Sequence, residues 1–124
     1  MTDKEKIAEI KKQVKIWQDI LLLQQWNIRL FFHKKKDRND KDNMAHVTRK
    51  LEYRFSRIHF FLPNIKKKTL EDTVIHELVH LVLGDYDWLL EKSILFMKPA
   101  ISKVCEGTTT HVTKIIANIA KINK

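Results

Sequence analysis

A chain of 124 residues with 44% hydrophobic and 31% charged residues, two Gly and two Pro has an ordinary globular composition and the length of one domain, residues 1–124. Its longest aliphatic run, Ile20 to Leu23, is too short to span a membrane. The start, Met1-Thr2-Asp3-Lys4-Glu5-Lys6, lacks the apolar core of a secretory signal, and a single cysteine excludes an internal disulfide, so a reducing, cytoplasmic setting is expected.

The net charge of +9, from 24 Lys and Arg against 15 Asp and Glu, suits nucleic acid or an acidic partner, and equally suits plain solubility. Ile7, Ile10, Val14, Trp17 and Leu21 recur at spacings of three and four, which predicts an amphipathic helix over residues 4 to 24. Trp26 to Phe32 is rich in β-formers and puts Trp26, Ile28 and Leu30 on one face, as a strand does. Lys34 to Asn43 is charged, without aliphatic residues, and predicts an exposed mobile loop. Two more strands follow, Ala45 to Arg54 and Arg57 to Leu62, the second closed by Pro63-Asn64. Thr69 then stands as an N-cap, with Asp72 in the capping-box position, for a helix from Leu70 to Leu83 that Gly84 ends. Pro99 opens a last helix running to about Ile122. The expected fold class is α+β: an N-terminal helix, a three-stranded and mainly antiparallel sheet, and two further helices.

The chemistry lies in His76-Glu77-Leu78-Val79-His80. Two His four residues apart on a helix project from one face and can converge on a single zinc ion, and the Glu after the first His is placed to act on a zinc-activated water as general base. The surrounding helix is apolar on nearly all sides, with Val74, Ile75, Leu81, Val82 and Leu83, so it is expected to be buried. Two imidazoles and a carboxylate buried there need partners, which a zinc ion and its water supply.

A catalytic zinc site needs a third protein ligand and an open fourth position. A metzincin-type extension would need Gly and His or Asp where Leu83 and Tyr86 stand. The downstream acids are Asp85, Asp87, Glu91 and Glu106. Glu106 is favoured because it shares a helix side with Thr109, Thr110, Thr113 and Ala117, opposite the aliphatic Ile101, Val104, Val112, Ile115 and Ile119. Small residues there allow a close approach to the motif helix. Glu91 is the rival; Asp85 and Asp87 follow the helix too closely to fold back over the ion. Tyr86 and His111 are candidate oxyanion stabilisers. Cys105 is read as core filler, and His33, His46 and His59 as loop or strand residues.

HELVH with a downstream Glu on a second helix resembles the gluzincin branch of the zincin peptidases, in particular small phage-type metallopeptidase-like proteins, with ImmA/IrrE-type domains as wider relatives. The stretch Arg57 to Pro63 resembles the edge strand and lead-in of those proteins. The resemblance implies a minimal zincin-like fold, Zn²⁺ held by His76, His80 and Glu106, Glu77 as catalytic base, and hydrolysis of a protein or peptide substrate. Two other readings remain open. One is a non-catalytic, zinc-stabilised module that binds nucleic acid or a regulatory protein through its basic surface. The other is a regulator that cleaves one repressor-like protein.

Overall fold

The computed structural model describes residues 1–84 and 98–122, the last stretch with side chains at 106–119 and 121. Asp85, Tyr86, Asp87 and Glu91 lie outside the described residues, as does the side chain of Cys105. Helix α1 (Asp3–Ile20) begins at the N-cap Thr2, whose hydroxyl accepts a hydrogen bond from the Glu5 amide at 3.2 Å. It ends in a left-handed turn at Leu22, with φ 58°, where the Leu23 amide donates to the Gln18 carbonyl and the Leu22 amide to that of Asp19. Ile10, Val14 and Trp17 are its buried stripe.

The three strands are β1 (Asn27–His33), β2 (Ala45–Lys50) and β3 (Phe55–Phe61), in the order β1-β3-β2. β2 and β3 form an antiparallel hairpin, whereas β1 runs parallel to β3, with Asn27 opposite Phe55. The expected mainly antiparallel sheet is therefore a mixed one. The loop after β1 carries the chain to the far edge before the hairpin returns it to the centre, so β3 enters beside β1 in the same direction. For the same reason β3, expected at an edge, is central, and β2 is the edge. β2 also stops earlier than Arg54, because Leu51–Tyr53 forms a 3-10 turn closed by Arg54 in the left-handed region, φ 48°.

Helix α2 (Leu70–Val82) packs with α1 over the face carrying Ile28, Leu30, Ile58 and Phe60. The expected Thr69 cap does not form: its hydroxyl turns back to the Lys66 amide and carbonyl, both at 3.3 Å. Gly84 is not a left-handed cap either. Its value is space, since a Cβ there would meet Leu51 Cδ2 at 2.8 Å. Helix α3 (Lys98–Ile122) lies against α2 through its small residues, burying Thr109, Thr113 and Ala117 and leaving Ile115 and Ile119 about half exposed. The loop between β1 and β2 is exposed but tied: the Asp37 carboxylate accepts from the Asn39 amide and the Asn43 side chain, and the Asn64 amide donates to the carbonyls of Lys41 and Asn43. Among the described residues, no helix is long and apolar enough to cross a membrane.

Candidate metal centre

Leu70, Val74, Ile75, Leu78, Val79 and Leu81 bury most of the α2 circumference in the core. What remains is a polar stripe at helical spacing, Asp72, Thr73, His76, Glu77 and His80, which lines a cavity of about 780 Å³. Glu106, Thr110, Thr113 and Ala117, spaced four, three and four residues apart on α3, form the facing wall. Ala45 and Val47 of β2, with Asp40 and Asn43 of the preceding loop, close the rest.

The two helices bring one carboxylate to both imidazoles. Glu106 Oε1 is 2.7 Å from His76 Nε2, and its Oε2 is 3.1 Å from His80 Nε2. The His rings, one helical turn apart, are set edge to face, 4.9 Å between centroids and 85° apart. Ligand atoms of all three residues lie within 4.8 Å of one another, so the group can hold a metal ion. Donors around tetrahedral zinc at 2.0–2.1 Å are about 3.3 Å apart. To reach that separation the 2.7 Å contact of His76 would open by about 0.6 Å and the 3.1 Å contact of His80 by about 0.2 Å. Two neutral imidazoles and a carboxylate also make a typical zinc donor set with room for a fourth group.

Charge supports the same arrangement. Bonds from His76 and His80 hold the Glu106 carboxyl far below the usual carboxylate range, and its bond to His76 raises that imidazole's pKa against the opposing effect of burial. His80 has an outer partner as well: its Nδ1 lies 3.4 Å from the hydroxyl of Thr109, which is wholly buried. That contact suits the tautomer with hydrogen on Nδ1 and leaves Nε2 for the metal.

Glu77 is only 5% exposed yet borders the cavity. Burial pushes its carboxyl up to about 7, with the neighbouring His80 and His76 pulling the other way. A carboxylate titrating near neutrality is suited to accept a proton at physiological pH, and a cation held by the trio would lower its pKa.

His76, Glu77 and His80 thus share one cavity with Glu106, which is distant from them in sequence. His111 is exposed on α3 and does not line it. His33, His46 and His59 are strand residues outside the trio, although His46 touches the cavity rim. Sequence reasoning missed the contributions of Asp40, Asn43 and Lys114. The last continues the Glu106 and Thr110 spacing by one more turn and was legible on that ground; the loop residues carried no such signal. No protein-family model matches the chain, and no match was found among curated proteins or solved structures.

Proposed function

We propose that the chain is a zinc-dependent peptidase of gluzincin type, built on a reduced zincin-like scaffold. The observation that carries this reading is the convergence of His76, His80 and Glu106 beside the buried, cavity-facing Glu77. Zinc in that site supplies Lewis acidity, which brings the pKa of water toward neutrality and polarises a peptide carbonyl. Glu77 takes the proton from the attacking water and delivers it to the leaving amine, so the carboxylate is regenerated in each cycle. His80 is kept in register by Thr109, and Glu106 neutralises part of the metal's charge. Among the described residues β2 is the sheet edge on the cavity side, so its outer edge offers an extended peptide a ladder that runs past the site.

Elemental analysis of purified protein, paired with cleavage of a quenched fluorescent peptide library, tests the reading. One zinc per chain is expected, lost in His76→Ala. Glu77→Gln should keep the zinc and lose cleavage by roughly 10²-fold or more. Full cleavage by the Glu77 variant would refute the assigned base. Zinc bound without any cleavage, including of folded protein substrates, would make the site structural.

A further inference from the structure

The sheet face turned away from α1 and α2 carries a second constellation. Phe31 of β1, His59 of β3 and His46 of β2 form a row of stacked rings across all three strands, with centroids 4.9 and 4.7 Å apart and planes within 16°. Ring faces inside the row are spent on each other. The row ends in the open at Phe31, which is 38% exposed on the edge strand β1.

Beside this row the charge is one-sided. Arg29 and Arg57 are direct partners in the β1–β3 register, and both guanidinium groups lie over the Phe55 ring, at 5.9 and 5.5 Å. Lys50 is the β2 partner of Phe55. No strand residue that alternation places on this face is acidic. Like charges directly opposite on a sheet repel, and the shared Phe55 ring offsets part of that cost. Arg29, Phe31, Thr48, Lys50 and Arg57 are exposed, and among the described residues no helix packs over them.

We infer that this face binds single-stranded nucleic acid. Phosphates match the paired guanidinium groups, which offer planar, bidentate donors, and a base can extend the ring row at Phe31. An acidic peptide would satisfy the cations and leave the rings unused. A duplex presents its phosphates around a cylinder and stacks its bases internally, so a flat three-stranded face reaches few of the former and none of the latter. The assignment does not depend on the metal site, and its test is run on the zinc-loaded and the metal-stripped protein alike.

Fluorescence anisotropy with labelled oligothymidylate, oligouridylate and a duplex of the same length is the experiment. Both single strands are expected to bind more tightly than the duplex, and preference between the two reports DNA or RNA as the natural form. Arg29→Gln with Arg57→Gln should weaken binding and lower the slope of log affinity against log salt by about 1.4. The same double variant should stay folded, with an unchanged far-ultraviolet circular dichroism spectrum, because both side chains are exposed; loss of binding by a folded protein is not the signature of misfolding. Phe31→Ala should cost about fivefold or more. Lys12→Gln with Lys15→Gln, the same charge change on the exposed side of α1, should change little beyond screening. Equal losses in the two double variants would reduce the effect to diffuse charge and overturn the assignment. Equal affinity for duplex would do so too, as would displacement of the oligonucleotide by polyglutamate at matched charge, which would point to an acidic protein instead.

Discussion

Glu106 and His76 stand thirty residues apart and meet at 2.7 Å, while the second oxygen of the same carboxylate reaches His80. The carboxylate thereby fastens α3 to α2. A metal bound among the three does the same more strongly, so zinc should stabilise the fold. At a free concentration one hundred times Kd the gain is about 2.7 kcal/mol, which raises the unfolding temperature by several degrees. Calorimetry with and without zinc measures this. Glu106→Ala should bind zinc more weakly by more than the roughly 10–100-fold that loss of an outer partner costs. An unchanged zinc shift in that variant would place the third ligand elsewhere.

Thr109 is expected to act on the metal through His80. Thr109→Val preserves shape, removes the hydroxyl 3.4 Å from Nδ1, and should lower zinc affinity about tenfold with the protein still folded. Thr109→Ser should restore most of it. Competition with a chelating dye reads the affinity, and equal affinity in wild type and the Val variant would show that the hydroxyl does not orient the ring.

Much of this centre was legible because helical periodicity is local. His76, Glu77 and His80 needed only a spacing of four and an apolar setting, and Glu106 stood out by the small residues sharing its side of α3. The sheet was harder. Each strand announced itself by alternation, but whether β1 would lie parallel to β3 depended on how the 34–44 segment travels, and no strand carries that information. The same loop supplies Asp40 and Asn43 to the cavity through turns tied by Asp37 and Asn64, which composition alone reads only as exposed chain. On α3 the Thr and Ala side packs on α2, as its small residues led one to expect, while Ile115 and Ile119 of the apolar side are about half exposed.

His59 couples the outer sheet face to pH. Burial, then the neighbouring His46 and His33, then Arg57, lower its pKa from the ordinary 6.5. His33 sits on β1 with its Nε2 2.8 Å from His59 Nδ1, His46 on β2, and Arg57 on β3 itself; Asp37 of the loop lies close enough to His46 and His33 to feel their charge. Above pH 6.5 the ring is neutral both folded and unfolded. As pH falls below that, the unfolded chain takes up the proton first, so stability declines until the folded pKa is passed. Glu77, raised to about 7, and His76, also raised, gain stability over the same acid range, so the His59 contribution is read as a difference between two proteins. The urea midpoint of wild type minus that of His59→Gln should fall as pH drops below 6.5, and a difference that grows toward acid would contradict the direction.

Two positions, one inside α3 and one just after α1, carry the residue that local physics disfavours. Gly107, beside Glu106, lies inside α3 without the left-handed conformation that would call for glycine, and a Cβ there would meet nothing within 4 Å. Leu22, at the end of α1, has φ 58° and is 80% exposed, so its side chain gains little packing in return for a strained backbone. Gly107→Ala should stabilise the protein by about 0.5–1 kcal/mol, by restricting the unfolded chain and favouring the helix. Leu22→Gly should stabilise by a similar roughly 1 kcal/mol, because the left-handed turn costs a leucine that much. The two sites are distant and their effects should add in chemical denaturation. Gly107→Ala carries a second readout, since a firmer helix beside Glu106 should leave zinc affinity equal or higher. If it stabilises the fold but weakens zinc, the ligand needs the freedom that glycine gives, and Gly107 belongs to the metal centre instead of being a defect in α3.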